Sequence, residues 1–118
     1  MALIQDYFSK TKELTAKYGS RSLVLMQVGS FFEVYAHRHL HTGEIYGSCL
    51  EEFVRICDFN EPSKKSYSNQ PKDTETLMSG FPEYMIEKYI SRMQDNGYTC
   101  AVYTQDSNTK NTTRSARS

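Results

Sequence analysis

The segment "SLVLMQV", Ser22–Val28, constrains the fold more than any other part of this chain. It contains a continuous apolar run, Leu23 to Met26, and such a run of strand length is typical of a strand buried on both faces. Gly29 and Ser30 interrupt the run, and an extended pattern resumes at Phe31. A glycine at such a point often marks a bulge or the close approach of another backbone.

Helical periodicity is present in three other segments. "IQDYFSKTKELTAKYGS" carries an apolar stripe opposite lysines and glutamates, and "SCLEEFVRICDF" follows a capping box formed by Ser48 and Glu51. "FPEYMIEKYISRMQDNG" predicts a helix with Pro82 in its first turn, and "YTCAVYTQ" then predicts a strand. The order helix, strand, strand, helix, loop, helix, strand predicts an α/β domain, a mixed β-sheet flanked by helices.

The length of 118 residues suits a single domain. We assign residues 1–105 to that domain. Residues 60–76, rich in Pro, Ser, Asn and Lys, form a loop or a hairpin with a long tip inside it. Residues 106–118 contain one apolar side chain, Ala116, and are expected to be a polar linker or a disordered tail.

Charge and cysteine usage exclude several classes of protein. The 14 basic and 14 acidic residues balance, which argues against an autonomous high-affinity DNA binder. Three cysteines without a CxxC pair indicate reduced thiols and an intracellular protein. No apolar run is long enough to span a bilayer and the first residues do not resemble a signal peptide, so we expect no membrane partner.

The histidines of "HRHLH", His37, His39 and His41, could converge on a metal if this segment were a strand. No acid or cysteine stands beside them at ligand spacing, and the following Thr-Gly predicts a mobile turn. We therefore expect a solvated loop and no metal site.

Catalytic motifs are also missing from the sequence. The glycines form no GxxxxGK loop, and no Ser or Cys stands in a recognisable nucleophile context. A nuclease would need clustered carboxylates, and the candidates are scattered: Glu33, Glu44, Glu51 and Asp58. The chain is predicted not to be an enzyme.

The segment "QVGSFFEVY" offers a different kind of site. In a strand, Phe31, Glu33 and Tyr35 share one face while Phe32 and Val34 share the other, so an aromatic ring and an acid can be exposed together. The simpler alternative is an ordinary strand with Phe31 in the core and Glu33 paired with a lysine.

An exposed aromatic ring can enter between base steps from the minor groove and kink the duplex. The unstacking energy is lowest where base pairing is already poor. A carboxylate beside such a wedge is repelled by phosphates, so it makes sense only if it accepts a hydrogen bond from a base group that has lost its Watson–Crick partner, or itself carries a proton to donate. A wedge and an acid together would test whether a base pair is damaged.

Two blocks of the sequence resemble the MutS-type DNA mismatch-repair family. "VGSFFEVY" is similar to the G-x-F-[YF]-E mismatch-reading motif near the N-terminus of that family, and "LMSGFPEYMIEKYISRMQDNGYTCAVYTQ" is similar to the other signature of the same domain. The longer segments between the blocks suggest a divergent viral or organellar-type homologue. Phe32 where Tyr is commoner, Ser30 where Asp is common and Thr104 in place of Glu depart from the family pattern.

This resemblance implies the fold and function of the N-terminal mismatch-recognition domain, domain I. Phe31 would be the stacking wedge and Glu33 the residue that hydrogen-bonds the mispaired base. Gly29 would permit close approach of the backbone, with Phe32 beside the wedge. A neighbouring loop bordering the minor groove would contribute three further residues, Met78, Ser79 and Gly80.

The expected partners follow from the same resemblance. They are mismatched duplex DNA, the rest of a MutS-type chain and a dimer partner that binds through other domains. No cofactor is expected in this chain, and ATP and Mg²⁺ would bind only in the ATPase domain of a full-length protein. Two alternatives remain: a protein-interaction module that keeps the fold without reading DNA, with Phe31 and Tyr35 as interface anchors, and a nuclease or tRNA-processing domain.

Overall fold

The computed structural model describes residues 3–104 and 111–117. These residues form three α-helices, one 3₁₀ turn at Glu83–Met85 and seven strands. The helices are α1 (Leu3–Tyr18), α2 (Leu50–Cys57) and α3 (Ile86–Asp95). The strands are β1 (Ser22–Val28), β2 (Phe31–His39), β3 (Ile45–Tyr46), β4 (Ser63–Lys64), β5 (Thr74–Pro82), β6 (Thr99–Tyr103) and β7 (Thr112–Arg114).

All seven strands belong to one mixed sheet with the order β4-β5-β2-β1-β6-β7, and β3 pairs with the far end of β2. β1 runs antiparallel to β2 and parallel to β6. Strand β1 is therefore hydrogen-bonded on both sides. The residues Leu23–Met26 are buried, as their continuous apolar run predicts. The α/β fold with a mixed sheet is confirmed.

Helices cover both faces of this sheet. On one face, Tyr7 of α1 packs its ring edge-on against Tyr35 of β2, and its hydroxyl donates a 2.9 Å hydrogen bond to the carbonyl of Val24. On the other face, Phe53 of α2 and Tyr89 of α3 pack against Phe81 of β5. The sheet is thus the middle layer, and the alternation of side chains along β2 decides which residues face α1.

Strand β5 was not predicted from the sequence, which placed its residues in a loop and at a helix start. The segment Leu77 to Gly80 lies inside this strand and is not a loop. Pro82 ends the strand with φ −61° and ψ 143°, and α3 begins only at Ile86, so the prediction that Pro82 lies in the first helical turn is wrong. Proline has the same φ in both settings, so its identity does not select between them.

The start of α2 also differs from the prediction. Cys49 is the N-cap residue and its side chain makes no capping bond. The Ser48 hydroxyl accepts a 3.2 Å hydrogen bond from the Leu50 amide and donates to the carbonyl of Tyr35. The capping box of Ser48 and Glu51 is therefore not formed, because the Ser48 hydroxyl instead bonds the Leu50 amide and the backbone of β2.

The histidine segment is not a loop throughout. His37 and His39 belong to β2, which pairs with β5 as far as His39 and Thr74. His37 is buried and stacks on Phe8 at a 4.0 Å centroid separation, while His41 lies in the following turn. The predicted solvated loop is corrected for His37 and His39, because β5 continues the ladder beside them. Within residues 3–104 and 111–117, no group of three or more His, Cys, Asp or Glu side chains is placed to hold a metal.

The C-terminal segment is partly ordered against the sheet. Within the stretch expected to be a linker or disordered tail, β7 pairs antiparallel with β6, placing Arg114 opposite Cys100. Arg114 binds Glu87 of α3 at 2.5 Å, and the Arg117 guanidinium binds Asp95 at 2.8 Å. The expectation of disorder is corrected for residues 112–114, because β6 offers them a free edge and α3 supplies acids for the arginines. The rest of the predicted tail from 106 to 110, and Ser118, lie outside the described residues.

The three cysteines are free and buried. Burial raises the pKa of Cys57 to about 11 and the pKa of Cys49 and Cys100 to about 12. Among the helices that the structure describes, none has the length and apolar character needed to cross a membrane.

Candidate nucleic-acid interface

The aromatic ring of Phe31 lies at the first position of β2, directly after a two-residue hairpin turn. Gly29 begins the turn with φ +62°, whereas Ser30 has no positive φ, the sign pattern of a type II′ turn. Val28 and Phe31 are then ladder partners, and Phe31 is also opposite Pro82 on β5. The glycine thus serves a tight turn and not a bulge, and the backbone of Phe31 is held from both sides.

Alternation along β2 separates the two phenylalanines. Phe31 is 47% exposed, whereas Phe32 is buried and packs on Phe81, with ring centroids 6.1 Å apart. This is the arrangement expected from the period-2 pattern, and it contradicts the alternative in which Phe31 is a core residue. Phe32 lies in the core and does not line the exposed site.

The acid beside the wedge is less exposed than the sequence suggested. Glu33 is only 8% exposed, because its carboxylate is held inside the site. The Tyr35 hydroxyl donates a hydrogen bond to Oε1 of Glu33, and Nζ of Lys65 lies 4.0 Å from the same oxygen. The pKa of the Tyr35 phenol is raised above its usual range, first by burial and then by this hydrogen bond.

A groove of about 410 Å³ brings the predicted site residues together. Residues 59–63, which lead into β4, form its second wall. β4 pairs only with Leu77 and Met78, so the β5 edge beyond Met78 is left uncovered by that strand. The predicted residues that line the groove are Phe31, Glu33, Met78, Ser79 and Gly80.

Met78, Ser79 and Gly80 line the groove from strand β5, whereas the sequence predicted a loop. Gly29 lies in the hairpin turn outside the groove. A Cβ built on Gly29 would meet no atom of the described residues within 4 Å, its chain neighbours apart, so the space beside its Cα is open there. The turn itself explains this glycine.

A second exposed aromatic residue, Tyr84, lies two positions after Pro82, the ladder partner of Phe31. The amide of Glu83 donates a 2.8 Å hydrogen bond to the carbonyl of Ser30, which fixes the chain after Pro82 against the hairpin turn. Gln27 also donates to the Glu83 carboxylate at 2.7 Å. The next residue, Tyr84, is 83% exposed. Sequence reasoning missed this residue because it placed Tyr84 within a regular helix.

The contacts of Tyr35 and Lys65 with Glu33 were not predicted individually from the sequence. Tyr35 was expected on the same face as Glu33, and the i, i+2 spacing is the signal for their contact. Lys65 is separated from Glu33 by 32 residues, and only the general expectation of a lysine partner anticipated it. Tyr35 is fully buried, so it is not available as an interface anchor in the protein-interaction alternative.

Comparisons with known proteins identify the family of this chain. The chain matches the family described as MutS domain I over residues 5–118. It is 29% identical over 101 residues to a DNA mismatch repair mutS homolog of Acanthamoeba polyphaga mimivirus, covering 86% of this chain and 9% of that protein. It is 30% identical over 103 residues to "DNA mismatch repair protein MutS 2" of Halobacterium salinarum, covering 87% of this chain and 10% of that protein. The chain spans about a tenth of the length of these relatives, and it belongs to the MutS domain I family.

Proposed function

We propose that this chain recognises mismatched duplex DNA by inserting the Phe31 ring at the mispair while Glu33 hydrogen-bonds the displaced base. The observation that carries the proposal is the placement of an exposed aromatic ring and a fixed carboxylate in one groove, at the edge of the sheet. The family membership supports the same function.

The backbone of Phe31 is suited to act as a wedge. It is held by ladder partners on both sides, Val28 and Pro82, so inserting the ring requires little ordering of the main chain. Insertion must still separate two stacked base steps, which costs a few kcal/mol in an intact duplex. The cost is smaller at a mispair, so the same ring discriminates in favour of poorly paired sites.

Glu33 supplies a second test of the base pair. A carboxylate near the duplex is repelled by phosphates, and Lys65 beside it offsets part of this repulsion. The carboxylate gains a hydrogen bond only where a base N–H has lost its Watson–Crick partner. A matched duplex is therefore repelled by the Glu33 carboxylate and offers it no hydrogen bond in compensation.

Other parts of a longer protein would grip the phosphates. The formal charge of this chain is zero, and phosphate contacts by Lys and Arg supply most of the sequence-independent affinity of DNA-binding proteins. In this proposal the domain supplies discrimination, and further MutS-type domains and a dimer partner supply affinity. ATP and Mg²⁺ belong to an ATPase domain of that longer protein, and this domain acts by binding and not by catalysis.

The test is the ratio of the affinities for a mismatched and a matched duplex, measured by fluorescence anisotropy on the natural full-length polypeptide. Phe31→Ala is expected to abolish the preference while leaving the domain folded. Tyr18→Ala is the matched control, because Tyr18 is similarly exposed, at 42%, but lies at the end of α1 outside the groove.

Retention of the mismatch preference by Phe31→Ala would disprove the wedge. If the wild-type protein shows no preference at all, and Phe31→Ala instead weakens capture of a protein partner, the interaction-module alternative replaces this proposal. Metal-dependent cleavage of a nucleic acid by the wild-type protein would favour the alternative of a nuclease or tRNA-processing domain.

A further inference from the structure

A second groove, which we call the α1 groove, lies between helix α1 and the end of β2 that is remote from Phe31. Its lining includes Phe8, Lys12, His37, Tyr46, Gly47 and Pro71. Its volume of about 590 Å³ falls in the range of small-molecule sites. His37 lies six residues after Phe31 along β2, which corresponds to roughly 20 Å of extended strand. The α1 groove is therefore separate from the proposed mismatch site.

Aromatic rings make up much of the lining of the α1 groove. The rings of Phe8 and His37 stack with their centroids 4.0 Å apart and their planes at 19°, and the Tyr46 ring lies 5.2 Å from that of His37. Phe8 and Tyr46 are both partly exposed. Aromatic side chains in such a setting are the surfaces on which proteins stack nucleobases. A planar ligand can thus pack here.

Gly47 keeps the space beside these rings open. Its φ of +96° is one that glycine adopts without strain, and a Cβ built there would lie 3.0 Å from Cε1 of Phe8 and 3.1 Å from Cδ2 of His37. A side chain at this position would occupy the groove where the two rings line it. The glycine therefore leaves room for a ligand.

The imidazole of His37 has hydrogen-bonding capacity that the described residues do not use. His37 is 6% exposed, its Nδ1 is buried, and neither ring nitrogen bonds a described residue. Burial lowers the pKa of His37, so the ring is neutral at pH 7 and has one N–H donor and one acceptor nitrogen. A half-turn of the ring preserves its stacking on Phe8 and exchanges Nδ1 with Cδ2, the His37 atom that faces Gly47. Nδ1 can thus reach a ligand in the groove.

Lys12 supplies the charge of the α1 groove. Of the described residues that line the groove, Lys12 alone is charged at pH 7, and it forms no ion pair or hydrogen bond with the described part of the chain. It follows Phe8 by one helical turn, roughly 6 Å along α1, so its ammonium group can meet an anion held close to the rings. The adjoining cavity contains both Arg21 and Glu52, and these opposite charges favour neither sign of ligand.

We propose that the α1 groove binds a nucleotide, with the base against the rings of Phe8 and Tyr46 and the phosphate beside Lys12. A nucleobase is planar, and its edge carries donors and acceptors that the neutral imidazole of His37 can bond. The phosphate complements an unpaired ammonium group in an otherwise uncharged groove. This inference does not rest on the proposed function, because it concerns other residues at the opposite end of β2.

The experiment titrates the 118-residue chain with the four deoxynucleoside 5′-monophosphates and the corresponding nucleosides, and follows the histidine side chains by NMR. Saturable binding with a dissociation constant of about 1 mM or tighter is expected for a monophosphate, and weaker binding for its nucleoside. The ring nitrogen resonances of His37 should shift, whereas those of His41, which is exposed in the turn after β2, should not. Absence of saturable binding, or an unchanged His37, would overturn the proposal.

Lys12→Met tests the contact with the phosphate. It should weaken binding of the monophosphate about threefold and leave binding of the nucleoside unchanged, and the difference should shrink at high salt because Lys12 is exposed. Lys17→Met is the matched control, since Lys17 is an exposed lysine of the same helix that does not line the groove. Equal weakening by the two variants would be a general charge effect and would overturn the position of the phosphate.

His37→Phe tests the contact with the base. Phenylalanine keeps a ring beside Phe8 but has no ring nitrogen, so affinity for the monophosphate and for the nucleoside should both fall about fivefold. His41→Phe is the control and should change neither affinity. An unchanged affinity in His37→Phe would show that His37 does not bond the base.

Gly47→Ala tests the groove in a second way if His37→Phe does not fold. The added methyl group would occupy the space beside Phe8 and His37, and binding should be abolished. Gly43→Ala controls for backbone strain, because Gly43 also has a positive φ, +77°, but a Cβ there would meet open space. Full binding by a folded Gly47→Ala protein would place the ligand elsewhere and overturn the proposal.

Two further probes identify the source of the ligand. A single-stranded oligothymidylate that binds more tightly than thymidine monophosphate, and loses this binding in Lys12→Met and His37→Phe, would assign the groove to a nucleotide within a DNA strand. Weaker binding of the oligonucleotide would assign it to a free nucleotide. N-acetylphenylalanine carries an aromatic ring and a carboxylate but no base edge. If it binds as tightly as the monophosphates, the groove accepts an aromatic, acidic peptide and the nucleotide proposal is wrong.

Discussion

Gly80 lies directly opposite Glu33 in the β2–β5 ladder, and the backbone of β2 leaves it no room for a side chain. A Cβ built on Gly80 would lie 2.3 Å from the carbonyl oxygen of Phe32 and 3.2 Å from the Cα of Glu33. Glu33, the acid that we assign to base recognition, thus lies opposite a glycine that allows β2 and β5 to approach each other.

Replacing Gly80 by alanine is expected to separate β5 from β2 at this point and to destabilise the domain. Inserting one methyl group into a packed site typically costs about 1–3 kcal/mol, and a backbone atom cannot rotate away. Urea unfolding measures the change, with Ser79→Ala as the control in the adjacent position of the same strand. A Gly80→Ala protein as stable as wild type would mean that the strands tolerate the extra atom.

The two adjacent phenylalanines should respond in opposite ways to truncation. Phe32→Ala is expected to lower the free energy of unfolding by about 3–5 kcal/mol, since Phe32 is buried against Phe81. Phe31→Ala should change it by less than about 1 kcal/mol, since the ring is half exposed. Chemical unfolding of both variants checks this, and the reverse order would invert the face assignment of β2.

The 118-residue chain alone should bind DNA weakly. With 14 basic against 14 acidic residues it has little to hold phosphates, so a dissociation constant of about 10⁻⁴ M or weaker is expected for a matched duplex at physiological salt. Titration by anisotropy would measure it. Submicromolar binding would contradict the idea that other domains supply the affinity.

Burial of His37 should make the stability of the domain depend on pH. Desolvation lowers the pKa of His37 below its ordinary value near 6.5, so the unfolded chain binds a proton more readily than the folded one. Stability should therefore be complete above about pH 6.5 and decrease as the pH falls through the lower folded-state pKa. Thermal unfolding between pH 8 and pH 5 measures this dependence.

The matched pair for this test is His37→Phe and His41→Phe. Nδ1 of His37 is buried without a hydrogen-bond partner among the described residues, and Phe8 already stacks on its ring, so phenylalanine fits the site chemically. His37→Phe should flatten the decrease below pH 6.5, whereas His41→Phe, at an exposed position, should not. An equal decrease in both variants would assign the pH dependence to other groups.

Removing residues 111–118 should lower the melting temperature by several degrees. β7 covers the outer edge of β6, and its arginines reach acids on α3. Losing these contacts exposes strand edge and leaves Glu87 and Asp95 without their partners. Differential scanning calorimetry of the truncated chain measures the effect, and Arg114→Gln separates the ion pair from the strand. An unchanged melting temperature would restore the interpretation of this segment as a linker.

Local patterns predicted the three helices and the strands β1, β2 and β6, whereas β3, β4, β5 and β7 were not predicted. The apolar run of β1 and the alternation of β2 each reflect burial that neighbouring residues share, so they can be read along the chain. The strand end at Pro82 and strand β7 could not be predicted from such local patterns. A proline at φ near −60° fits a strand end or a helix start, and the polar residues of β7 form a strand only because β6 presents an open edge.

The residues of the candidate site also fall into those that local patterns predict and those that they do not. Phe31 and Glu33 were identified because the face of a strand is encoded at two-residue spacing. The partner Lys65 and the wall at residues 59–63 reach the groove through long-range folding, which no local spacing encodes. The burial of Glu33 follows from those long-range contacts and was therefore missed.

The paired ladders on both sides of β2 also limit how such a site can evolve. Because side chains alternate, inserting or deleting a single residue between Phe31 and Tyr35 would turn every later side chain of the strand to the opposite layer. Lineages of this domain can thus exchange one amino acid for another at the reading positions, whereas a change in the number of residues there would cost the fold. Length variation should accumulate instead in the segments around residues 40–44 and 65–73, where the chain lies outside the strands.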